Sequence, residues 1–135
     1  VFQAGRRVGS GTIVASVATE AGPITASATV RVMPGRLRIR SIRYARRPSA
    51  LLVTVTAVDG AGKAVSASVA SVLVRRDGRS YLSRRVTTGP AGRTTFGVPA
   101  RRGGCFTTAI RRVSAAGFRW DGRTPRNRFC LRRPQ

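Results

Sequence analysis

Residues 104–131, GCFTTAIRRVSAAGFRWDGRTPRNRFCL, hold both cysteines, Cys105 and Cys130, the only tryptophan and three of the five phenylalanines. Each cysteine lies in a strand-like run of a Val- and Thr-rich chain. Their spacing fits neither a zinc framework nor a C-x-x-C redox pair. The stretch reads as the last two strands of a β-sandwich, tied to each other by a Cys105–Cys130 disulfide. The alternative is a pair of buried free thiols in a cytosolic protein. A bridge of this span closes a loop worth roughly 3.5 kcal/mol in the chain-entropy picture. It also implies an oxidising, secreted or cell-surface setting.

Outward from that stretch, strands and turns alternate. Residues 94–98 form a short strand, stopped by Pro99 and the basic loop Arg101-Arg102-Gly103-Gly104. Gly89-Pro90-Ala91-Gly92 is a turn, and Asp77-Gly78 is a strong hairpin signal between two Arg-rich apolar runs. Residues 65–76 make one or two strands whose facing is open. Residues 51–58 are the clearest strand, with Leu51, Val53 and Val55 toward the core and Thr54 and Thr56 outward. Arg36, Arg38 and Arg40 alternate with Leu37 and Ile39, a half-buried strand; Ile42 then breaks the phase, so either a bulge sits near Ser41 or the strand changes sheet. About seven short strands over residues 37–131, with regular turn signals, are the pattern of a Greek-key sandwich. Residues 34–36 read as a linker. Residues 1–33 read as a β-hairpin, strands at 12–18 and 24–32, and a lone hairpin needs partner strands. Opening at Val1 in mid-pattern, the chain is expected to be a fragment or a processed chain.

The charge is extreme: 26 Lys+Arg against 4 Asp+Glu, net +22, with Lys63 the only lysine. That predicts attraction to nucleic acid, teichoic acid, acidic polysaccharide or anionic lipid heads, weakening with salt. A GC-rich genome writing Arg for Lys accounts for part of it. The arginines come in doublets: Arg6-Arg7, Arg46-Arg47, Arg75-Arg76, Arg84-Arg85, Arg101-Arg102, Arg111-Arg112 and Arg132-Arg133. Adjacent strand residues point to opposite faces, so doublets belong at strand ends and spread charge around a rim. Arg101, Arg102, Arg111 and Arg112 are the candidate polyanion contacts. No recognition helix is present, so sequence-specific nucleic-acid binding is not expected.

Catalytic chemistry is poorly provided for. With no histidine, a Ser-His-Asp or Cys-His arrangement is missing. The acids Glu20, Asp59, Asp77 and Asp121 each sit in or beside a turn, the usual place for a side chain that caps its own backbone. No catalytic residue, metal site or cofactor is expected, and no apolar run is long enough to span a bilayer. Trp120 is either a core plug or, with Tyr81, half of a ring-stacking platform for carbohydrate.

Asp59-x-x-Gly62-Lys63-x-Val65 and Thr88-x-x-x-Gly92-x-x-x-Phe96 resemble bacterial immunoglobulin-like domains of the invasin/intimin kind. The tail, from Gly104-Cys105-Phe106 through Gly117-Phe118-x-Trp120-Asp121-Gly122-x-Thr124-Pro125-x-Asn127-x-Phe129-Cys130, is similar to disulfide-closed ends of such modules in secreted bacterial proteins, including modules appended to extracellular proteases. Residues 2–32 resemble the closing strands of a preceding domain of that class. The resemblance implies an immunoglobulin-like sandwich over 37–131 after the remnant of a neighbour. It further implies a non-catalytic structural or adhesive role, spacing or docking a larger secreted or surface-attached protein at an anionic surface. Its partners would be other domains of the same polypeptide and an anionic cell-surface polymer. A dedicated polyanion-binding module and a carbohydrate-binding accessory module are the alternatives.

Overall fold

The structure, a computed structural model, describes residues 9–132. The Arg6-Arg7 doublet and Arg133 lie outside them. The chain divides into two units, Val1–Pro34 and Gly35–Gln135.

In the first unit, β1 (Gly9–Thr19) and β2 (Gly22–Val32) form an antiparallel hairpin with no break in register. The Thr19 hydroxyl donates to the Gly22 carbonyl across the Glu20-Ala21 turn. The ladder starts earlier than Thr12, because Gly9-Ser10-Gly11 pairs with residues 30–32. Ile13, Val14, Val17 and Ile24 are exposed, as a two-stranded ribbon without a second layer dictates.

The second unit holds β3 (Gly35–Arg46), β4 (Ala50–Asp59), β5 (Ser68–Arg76), β6 (Arg79–Thr87), β7 (Arg93–Pro99), β8 (Gly104–Ser114), β9 (Phe118–Trp120) and β10 (Phe129–Leu131). They form two four-stranded sheets, ordered β7-β4-β3-β9 and β10-β8-β5-β6. Every pairing is antiparallel except β3 with β9. One core joins the sheets: Leu37, Ile39, Ile42, Leu51, Val53 and Val55 meet Val69, Val72, Val74, Phe106, Ile110 and Val113. The fold is therefore all-β and sandwich-like. β4 shows the cause most plainly, its Leu51, Val53 and Val55 fully buried while Thr54 and Thr56 are not.

The phase break in β3 is a bulge: the register against β4 shifts between Ile39 and Ser41, and the strand stays in its sheet. The expected linker is shorter than residues 34–36. Gly35 and Arg36 already pair with Phe118 and Arg119, and the Gly35 N–H donates to the Gly117 carbonyl at 2.9 Å. Residues 65–76 contain one strand, β5, and Val65 and Ala67 ahead of it are buried outside any ladder. Asp77 and Gly78 both take positive φ, 50° and 77°, as a tight β5–β6 hairpin requires. Gly92 has no substitute: φ is +71°, and a Cβ there would stand 2.6 Å from the Ala57 carbonyl oxygen.

Thr88, fully buried, supplies the bonds that a ladder would have made for residues 65–67. Its hydroxyl accepts from the Ala67 N–H at 2.8 Å and donates to the Val65 carbonyl at 2.7 Å. Thr88→Val keeps the shape and orphans both groups. It is expected to cost about 2 kcal/mol and to lower Tm by roughly 10 °C in a domain of this size, read by scanning calorimetry. A shift of under about 2 °C would mean that those groups find other partners.

Candidate functional site

The described structure is most distinctive along the free edge of β8. Cys105 and Cys130 are directly opposed in the β8–β10 ladder, and their sulfurs are bonded. On the opposite side of β8 the hairpin residue Asp77 extends the β5 ladder: its N–H donates to the Cys105 carbonyl at 2.8 Å, and its Oδ1 accepts from the Cys105 N–H at 2.9 Å. Beyond β10 the edge is completed by side chains instead of backbone. Asn127 Oδ1 accepts from the Thr108 N–H at 2.7 Å, and its Nδ2 donates to the Thr108 carbonyl at 2.8 Å. Thr124 treats Ile110 alike: its hydroxyl accepts from the N–H and donates to the carbonyl, each at 3.1 Å.

Residues 121–128 thus form a strap whose side chains imitate a strand while the chain crosses from one sheet to the other. Tyr44 of β3 ties the strap down from the opposite sheet. Its hydroxyl bonds Thr108 Oγ1 at 2.8 Å and donates to Asn127 Oδ1, and its ring stacks on Phe129 at 5.8 Å between centroids. Burial raises the Tyr44 phenol above its ordinary value of 10.0, and the Thr108 hydrogen bond opposes that.

Between the strap and β8 lies an open groove of about 660 Å³, with Arg75, Arg126 and Arg128 around Thr107. It carries three guanidiniums and no carboxylate. Such a lining can offer charge-assisted hydrogen bonds to an anionic group.

The arginine doublets singled out in the sequence are exposed but separate. Arg101-Arg102 lie in the turn before β8 and Arg111-Arg112 near its far end, with roughly 23 Å of strand between Gly104 and Arg111. Trp120 is half-buried, packed against the core, and its Nε1 is buried without a hydrogen-bond partner. Tyr81 is 40% exposed, donates its hydroxyl to the Pro99 carbonyl, and carries Arg76 over its ring at 5.7 Å. Trp120 is on β9 and Tyr81 on β6, edge strands of different sheets. These two rings do not make one stacking platform.

The acids of the second unit hold backbone. Asp59 Oδ1 accepts from the Ala61 and Lys63 N–H groups, and Asp121 Oδ1 from Arg123 N–H. Among the described residues no group of three or more His, Cys, Asp or Glu could hold a metal ion, and no helix is long and apolar enough to cross a membrane. The strap residues Thr124 and Asn127 belong to the tail pattern noted in the sequence, but nothing in a polar loop marks which side chain will replace a ladder. The arginines of β3 were legible in the alternation of Arg36, Arg38 and Arg40, but their neighbours across the sheet were not. No family model, no curated protein and no solved structure matches the chain.

Proposed function

We propose that this chain is a non-catalytic, immunoglobulin-like structural or adhesive module of a secreted or surface-attached protein, which it docks at an anionic surface. The observation that carries the reading is a β-fold of modest size with a cross-strand disulfide and exposed arginines. Asp59, Asp77 and Asp121 accept hydrogen bonds from backbone N–H groups in or beside turns. Strand order supports the immunoglobulin-like part: β3 and β4 share one sheet, β5 and β6 the other, β7 returns to the first and β8 to the second. The hairpin of residues 9–32 is read as the remnant of a neighbouring module.

The test is adsorption of the whole chain to beads bearing an anionic phosphate polymer, beside neutral polymer beads. Retention at about 50 mM salt on the anionic beads alone, with release as salt rises, is expected. Equal passage through both would overturn the docking reading. The carbohydrate alternative has no support, since Trp120 and Tyr81 stand on separate edges.

A further inference from the structure

Resting on that docking reading, we infer that the docking surface is the outer face of sheet β7-β4-β3-β9 and that its ligand is an extended, linear phosphodiester polymer. The register places the residues. Arg43, Thr54 and Thr95 form one row across three strands, and Ser41, Thr56 and Arg93 form the next. Arg38 stands opposite Val58, and Arg36 beside Arg119. The intervening residues Leu37, Ile39, Ile42, Val53 and Val55 are buried, so these rows face outward. Arg36, Arg38, Arg43, Arg93 and Arg119 are exposed on that one face.

No acid belongs to the rows. Asp59 pairs with Leu37, in the inward register, and its Oδ1 is engaged by two backbone N–H groups. Asp121, next to β9, is engaged by Arg123 N–H. The rows themselves carry arginine and no carboxylate.

The choice of ligand follows from spacing and chemistry. Successive outward residues on a strand lie roughly 6–7 Å apart, the repeat of phosphates along an extended phosphodiester chain. Guanidinium forks take phosphate oxygens two at a time. The hydroxyls of Thr54 and Thr95, bonded to each other at 2.8 Å, add neutral polar groups between them. No aromatic ring belongs to the rows, so bases would have nothing to stack on and recognition is of the polymer backbone. The groove beside β8, on the other sheet, is lined by Arg75, Arg126 and Arg128 and adds no residue to these rows. The doublets at Arg101-Arg102 and Arg111-Arg112 lie toward opposite ends of β8 and do not line a continuous track.

Binding of the whole chain to labelled oligothymidylate and to a glycerol-phosphate polymer, followed by anisotropy across a salt series, tests this. Arg36→Ala/Arg38→Ala/Arg43→Ala is expected to weaken both at least tenfold at about 50 mM salt and to flatten the log–log salt slope by about 2. Arg101→Ala/Arg102→Ala/Arg111→Ala removes the same charge and is expected to cost less than about threefold. A milder Arg38→Gln/Arg43→Gln pair, with melting curves for all variants, keeps loss of folding apart from loss of binding. Equal weakening by both triple variants overturns the face while leaving the docking reading intact, because the parent chain still binds. A parent chain that binds neither polymer overturns both. Tighter binding of heparin through these same arginines overturns the phosphodiester ligand in favour of a sulfated polysaccharide.

Discussion

Asn127→Ala is expected to destabilise the second unit by about 4 kcal/mol, roughly twice the loss expected of Thr88→Val. The Asn127 amide bonds both backbone groups of Thr108, accepts from the Tyr44 hydroxyl and donates to the Pro125 carbonyl at 2.9 Å. Thr108 is 3% exposed, so alanine leaves its N–H and C=O in a place that water barely reaches. An orphaned buried group costs about 1–3 kcal/mol, and this change orphans two of them and leaves the Tyr44 hydroxyl with only its Thr108 Oγ1 bond. Asn127→Asp separates the contributions. It keeps the acceptor but loses the Nδ2 donor and sets a carboxylate against the Thr108 carbonyl, so it is expected to be no better than alanine near neutral pH. The measurement is Tm and denaturant midpoint for both variants, with hydrogen exchange at Thr108 and Ile110. A loss of under about 1 kcal/mol with protection retained would show that the strap is not what closes this edge.

Tyr44 adds a pH signature to the same cluster. Its phenol is raised in the folded state, so the unfolded chain ionises first as pH climbs through the ordinary value of 10.0. The stabilisation is full below that value and is lost above it. The alkaline loss is expected to shrink in Tyr44→Phe, read as stability against pH from about 8 to about 11.

The strap also explains what the sequence could and could not reveal. Strands β4 and β7 were legible because their apolar and polar residues alternate, and Asp77-Gly78 because few residue pairs tolerate positive φ in succession. β9 was harder. Phe118-Arg119-Trp120 has the look of a strand, but its parallel pairing with residues 35–37 brings together parts of the chain that no local signal connects. The same holds for the arginine face: alternation marks Arg36 and Arg38 as outward, and only register puts Arg119 and Arg93 on the same side. Local chemistry writes the elements, and long-range register decides which exposed charges become neighbours.

Replacing both cysteines, Cys105→Ala/Cys130→Ala, is expected to cost about 3.5 kcal/mol, the loop-closure entropy for a separation of 25 residues. The effect should also be local at first. β10 has three residues, held by a three-pair ladder to β8, by Phe129 and Leu131 packing on the core and by the bridge. Fast hydrogen exchange is therefore expected in β10 before β4 or β5 opens, together with a Tm drop of roughly 15–20 °C. Wild-type protein in reductant should match the double variant; a difference of under about 2 °C between oxidised and reduced forms would refute the assignment of stability to the bridge. The size of the loss matters for where such a protein can work. Net stabilities are about 5–15 kcal/mol, and this chain also folds against the self-repulsion of a net charge of +22. Bound to a polyanion the charge is neutralised, but free in a reducing compartment the fold would face both penalties together. The bridge is consistent with an extracellular location, and its loss would weigh most on a chain that already carries this self-repulsion.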